Sequence, residues 1–160
     1  MPMWEFKINL INTEYSQCLQ VYTDGSKKHD EAACAYHIPA LHANKGFFLG
    51  KHISVYTAEL TAITMALHYL VQLPVSINNI VILSDPKSAL TSILTGNSTR
   101  PSSSSDYCGT PSRRYLHNEI TWLTNTLTLN GSTVIFQWVP SHIGLRSNDM
   151  ADKLANLALK

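Results

Sequence analysis

Apolar positions along the chain fall into short runs with two different periods. Residues 18–23 (CLQVYT), 32–38 (AACAYHI) and 46–53 (GFFLGKHI) read as strands, joined by polar connections that hold Lys27, Lys28 and His29, then Asn44 and Gly46. Strands this closely spaced predict an antiparallel meander. Leu60, Ile63, Thr64, Leu67 and Val71 then recur at helical spacing and predict a helix from about Thr57 to Val71, with Thr57 as N-cap and Pro74 just beyond its end. Residues 79–85 (NIVILSD) have the β-branched run of a buried strand, and Pro86 opens a helix carrying KSALTSIL. Leu116, Ile120, Leu123 and Leu127 mark one face of a helix from about Arg114 to Leu129, which Gly131 ends. Residues 133–139 (TVIFQWV) predict a fifth strand, and Met150, Leu154 and Leu157 the inward face of a last helix over roughly 147–159.

Three meander strands followed by helix, strand, helix, helix, strand and helix predict an α/β domain with a five-stranded mixed sheet flanked by helices. Residues 18–160 are expected to form this one domain, with residues 1–17 as an N-terminal extension. Residues 96–114 (GNSTRPSSSSDYCGTPSRR) are the low-complexity segment and predict a mobile Ser-rich loop.

Composition narrows the setting. A net charge of +1 does not mark the whole chain as a polyanion binder, although a local site or bound cations can supply a positive field. Cys18, Cys34 and Cys108 are odd in number and match no zinc or redox spacing, so free thiols in a reducing, intracellular compartment (cytoplasm or nucleus) are expected. The start MPMWEFKINL lacks the pattern of a secretory signal, and the longest apolar run is too short to span a membrane. A monomer without membrane association is expected.

Four carboxylates sit where a soluble fold rarely places them without a reason. In QVYTDGSKK the Asp-Gly step predicts a turn that leaves Asp24 at the end of the first strand, where it either shapes the turn or binds something positive. Asp85 ends the fourth strand and reads equally as a cap for the helix after Pro86. Glu59 borders the buried face of its helix beside Ala62 and Ile63, or is a solvated first-turn residue. Asp152 lies near a helix start, where the dipole favours a carboxylate, and could instead pair with Lys153 or a nearby Arg or sit on a solvated face. Ligands of α/β sheets collect beyond the carboxyl ends of strands, so one sheet could gather all four. Gathered, they would repel and raise one another's pKa unless cations were bound. An all-oxygen set points to Mg2+ or Mn2+, and two such ions about 4 Å apart suit in-line phosphoryl displacement. His142, ten residues before Asp152 in VPSHIGLRSND, has a side chain suited to shuttling a proton near neutral pH, or it bonds a loop carbonyl.

YTDGS, TAELTAI, ILSDPKSAL and WVPSHIGLRSNDMADKLA, in this order and spacing, resemble ribonuclease H of type 1 over residues 18–160. WVPSHIG with ADKLA is most similar to the ribonuclease H domains of arthropod-type non-LTR retrotransposons. The resemblance implies cleavage of the RNA strand of an RNA–DNA hybrid with two Mg2+ ions, leaving 3′-hydroxyl and 5′-phosphate ends. It places Asp24, Glu59, Asp85 and Asp152 at the metal-binding positions and His142 at that of a mobile histidine. Gly25, Ser26 and Asn148 are the implied substrate contacts. Other nucleases of the same fold, or a catalytically inactive nucleic-acid-binding domain, are the alternatives. The chain departs from cellular members, which often carry Asn-rich residues before the Glu position: here Val55 and Tyr56 stand there. A basic helical handle is also replaced by the Ser-rich loop. Weak, salt-sensitive hybrid binding is therefore expected, with a reverse transcriptase domain of a longer polyprotein as the expected partner.

Overall fold

The first strand does not stop at the Asp-Gly step. In the computed structural model, which describes residues 3–95 and 113–159, β1 runs Leu19–Lys28 and β2 runs Glu31–Ile38. Gly25 pairs with Cys34 and Lys28 with Glu31, so the reversal falls at His29–Asp30, where His29 has a φ of 56°. The expected turn at Asp24–Gly25 is thus corrected: β2 offers a ladder partner to every residue through Lys28, and pairing overrides a local turn preference.

A short 3-10 turn, Pro39–Leu41, leads to β3, Ala43–Lys51. Then follow α2 (Val55–Val71), β4 (Asn79–Ser84), α3 (Lys87–Thr95), α4 (Arg113–Leu129), β5 (Thr133–Trp138) and α5 (Arg146–Ala158). The five strands form one mixed sheet in the order β3-β2-β1-β4-β5. β2 is antiparallel to both β1 and β3, while β4 is parallel to both β1 and β5. This is the fold class the sequence predicts.

Strand alternation divides the core between the two faces of the sheet. Val21, Ile80 and Ile82 pack with Leu60, Ile63 and Leu67 of α2 and with Leu116, Ile120, Leu123 and Leu127 of α4. Burying each such side chain contributes roughly 1.5–3 kcal/mol. Tyr22, Val81 and Leu83 face the other way, against Leu145 and Ala151 at α5 and Ile11. Ile11 belongs to a helix, α1, spanning Met3–Glu14 within the segment read as an extension.

Two helix details differ from expectation. The N-cap of α2 is Ser54, not Thr57: Ser54 Oγ accepts from the Thr57 N–H at 3.0 Å. The inward face of α5 is Asn148, Ala151 and Ala155, while Met150 and Leu157 are exposed. Small residues face inward because α5 lies close to the sheet. A Cβ added at Gly46 of β3 would sit 2.9 Å from the Leu154 carbonyl oxygen.

The α2, α3 and α4 helices are tied by polar contacts around Tyr56. Tyr56 Oη lies 2.6 Å from Ser92 Oγ and 3.2 Å from His117 Nε2, and the Arg113 guanidinium stacks over the Tyr56 ring at 4.7 Å. Cys18 and Cys34 are free thiols. Cys108 and the Ser-rich loop lie outside the described residues, except Arg113 and Arg114, which open α4. Among the described residues, no helix is long and apolar enough to cross a membrane.

Candidate active site

Strand register brings the first two carboxylates together. The last parallel pair between β1 and β4 is Thr23 with Ser84, so the next residues, Asp24 and Asp85, stand side by side at the carboxyl end of β4. Asp24 shares the face of Tyr22, toward α5, whereas Gly25 points at α2. A Cβ at residue 25 would lie 2.6 Å from Glu59 N and 2.8 Å from Ala58 C. Glycine at this position lets α2 cross close to the strand, and the Gly25 N–H donates to Glu59 Oε2 at 2.9 Å. Carboxylate oxygens of Asp24, Glu59 and Asp85 consequently lie within 4.8 Å of one another. Asp24 and Glu59 are both buried. Asp152, on α5, adds its charge to both.

Crowding has the expected electrostatic result. Burial, then the charges of Asp85 and Asp152, push the Asp24 carboxyl up to about 8. Burial, then Asp24 and Asp85, raise Glu59 well above the usual carboxylate range. Among the described residues, ion pairs join His52 to Asp30 and His68 to Glu119, and none reaches this cluster. A buried, unneutralised set of oxygen donors fits a hard divalent cation: such an ion would supply the missing positive charge, and the ligand type suits it.

Neutral donors hold the carboxylates in place. Ser141 Oγ donates to Asp85 Oδ2 at 2.7 Å, and Trp138 Nε1 donates to the Asp85 carbonyl at 2.8 Å. Asn156 Nδ2 donates to Asp152 Oδ1 at 3.1 Å and to the Asp152 carbonyl at 3.0 Å. Ser26 Oγ in turn donates to Asn156 Oδ1 at 2.7 Å. Sequence reasoning singled out neither Ser141 nor Asn156. The available signals were the position of Ser141 beside His142 and the one-turn spacing of Asn156 from Asp152.

His142 is exposed on the loop between β5 and α5, with a left-handed backbone of φ 55°. Asn148 is buried in the first turn of α5. The Ser26 hydroxyl is engaged by Asn156.

Residues 16–160 match the "RNase H" family. No curated protein matches the chain in sequence. Among solved structures, the chain is similar to RNase H1 of the halophilic archaeon Halobacterium salinarum, with 20% identity over 88% of this chain and 96% of that one and a TM-score of 0.59. LC11-RNase H1 in complex with an RNA/DNA hybrid aligns at 13% identity over 88% of this chain and 99% of that one, with a TM-score of 0.63. The foamy viral protease-reverse transcriptase in complex with an RNA/DNA hybrid aligns at 18% identity over 87% of this chain and 19% of that one, with a TM-score of 0.60. At these identities the likeness shows a common fold.

Proposed function

This chain belongs to the ribonuclease H family, and from that premise we propose that it hydrolyses the RNA strand of RNA–DNA hybrids. The observation that carries the reading is the approach of the Asp24, Glu59 and Asp85 oxygens to within 4.8 Å at one sheet edge, with Asp152 coupled to them. The hybrid in the LC11-RNase H1 structure supports the choice of substrate.

In this reading Asp24, Glu59, Asp85 and Asp152 hold two Mg2+ ions, for which Mn2+ can substitute. Bound cations of this kind activate water and neutralise charge at the scissile phosphate. The protein's own contribution is positioning. Strand register fixes Asp24 beside Asp85, Gly25 fixes Glu59, and neutral donors leave the negative charge of the set intact. His142, exposed on its loop, accepts or delivers a proton or aids product release. The backbone of Gly25 and Ser26, with Asn148, meets the RNA strand, whose 2′-hydroxyl separates it from DNA. Cleavage leaves 3′-hydroxyl and 5′-phosphate ends. The similarity to a protease-reverse transcriptase and the WVPSHIG and ADKLA segments favour a retrotransposon setting, with a reverse transcriptase domain as partner.

The test is a labelled RNA–DNA hybrid incubated with Mg2+ and the parent, Asp24→Asn or Asp85→Asn protein. RNA-strand cleavage by the parent alone is expected. No cleavage by the parent, equal cleavage by the variants, or equal cleavage of duplex DNA would overturn the reading.

A further inference from the structure

Strand β1 and helix α5 face each other through two side-chain contacts one step apart. Asp24 and Ser26 lie two residues apart on β1, on the face turned to α5. Asp152 and Asn156 lie four residues apart on α5, on the face turned to β1. The first contact, Asp24 to Asp152, joins two carboxylates. The second, Ser26 to Asn156, joins neutral groups at 2.7 Å. The Ser26 hydroxyl occupies Asn156 Oδ1, which turns the amide so that Nδ2 faces Asp152.

We infer that Asn156, held by Ser26, is a positioning residue that keeps the Asp152 carboxylate in the cluster. The physical need is plain. Asp24 and Glu59 repel Asp152, and Asp152 is only half-buried, so a rotamer change could carry it into water. Asn156 Nδ2 grips both the carboxylate and the carbonyl of Asp152 without adding charge. A Lys or Arg at the same place would restrain Asp152 equally but neutralise part of the field that attracts a cation. The clamp also ties Asp152 to the strand that carries Asp24, so the two carboxylates keep their spacing if α5 shifts. This inference rests on the metal-holding reading above.

The test is Mg2+ titration by calorimetry and by thermal shift, without substrate, on the parent, Asn156→Ala, Asn156→Gln, Ser26→Ala and the Ser26→Ala/Asn156→Ala double variant. Removal of an outer-shell partner of a metal ligand weakens metal binding by roughly 10- to 100-fold, and a loss of that order is expected for Asn156→Ala. Its metal-free melting temperature should match the parent, because Asn156 is exposed. With hybrid, kcat should fall while KM holds. Asn156→Gln, which keeps the donor, should recover part of the loss, and the double variant should equal Asn156→Ala alone. Parent-like Mg2+ affinity in Asn156→Ala, or independent addition of the two single effects, overturns the inference and leaves the catalytic reading standing. A parent that binds no Mg2+ overturns both.

Discussion

Gly25 of β1 and Glu59 of α2 meet backbone to side chain, the Gly25 N–H donating to Glu59 Oε2 at 2.9 Å where a Cβ would lie 2.6 Å from Glu59 N. The neighbouring atoms are helix backbone and cannot swing aside. Gly25→Ala must therefore push α2 off the strand and carry Glu59 away from Asp24. Overpacking of this kind is expected to destabilise by about 1–3 kcal/mol, read from the urea midpoint. Hybrid cleavage should fall further than stability alone explains. A parent-like midpoint would show that the crossing has slack.

Carboxylate crowding also sets the pH response. Asp24 titrates at about 8 in the fold against about 3.8 when unfolded. Between those values the folded state binds more protons than the unfolded chain, so metal-free stability should decline as pH rises through that window and level off above it. Glu59, raised in the same direction, adds to the decline. The slope is at most about 1.4 kcal/mol per pH unit for each proton. Millimolar Mg2+ should flatten it and raise the melting temperature at pH 8, whereas EDTA should restore it. Asp24→Asn should remove the share of the metal-free slope that Asp24 contributes and leave that of Glu59. A stability that rises with pH across this range would contradict the arrangement.

Directly beneath the cluster, Thr23 and Ser84 are register partners, fully buried, and neither hydroxyl has a hydrogen-bond partner. A buried polar group left unsatisfied is destabilising by about 1–3 kcal/mol. Thr23→Val keeps the shape of the side chain and removes the orphaned oxygen. It should stabilise the protein by about 1 kcal/mol, measured by denaturant unfolding, with Asp24 undisturbed on the opposite face. A loss of stability would mean that the hydroxyl is satisfied in solution.

The four carboxylates could be picked out of the sequence because burying charge is rare and each stood at the end or border of an apolar run. The meeting of Asp24 and Asp85 follows once their strands are neighbours. What stayed hidden depends on contacts distant in sequence. Asp24–Gly25 looks like a turn until β2 supplies partners out to Lys28. The glycine at 25 looks like a turn former until α2, 34 residues on, is laid across it. Asn156 looks like ordinary surface until Ser26, 130 residues away, fixes its amide. The inward face of α5 departs from the helical spacing of its large apolar residues for a related reason. Size suggested that Met150 and Leu157 pack inward, but the closeness of the helix to Gly46 admits only small residues.

Ser141 offers the sharpest separation between holding a carboxylate and bearing on the fold. Its hydroxyl donates to Asp85 Oδ2 at 2.7 Å from an exposed loop, so its removal leaves no cavity and no buried orphan. Asp85 stays anchored through its carbonyl, which accepts from Trp138 Nε1 at 2.8 Å, but its carboxylate becomes free to rotate. Ser141→Ala should therefore keep the metal-free melting temperature of the parent and weaken Mg2+ affinity, read from the Mg2+ dependence of the melting temperature, by roughly tenfold. Ser141→Thr, which retains the hydroxyl, should stay near the parent. Turnover on hybrid should fall with Mg2+ affinity at limiting metal and recover as Mg2+ is raised, because the donor orients a ligand and is not one itself. A loss that excess Mg2+ leaves unchanged would instead assign the Ser141 effect to the neighbouring His142 loop.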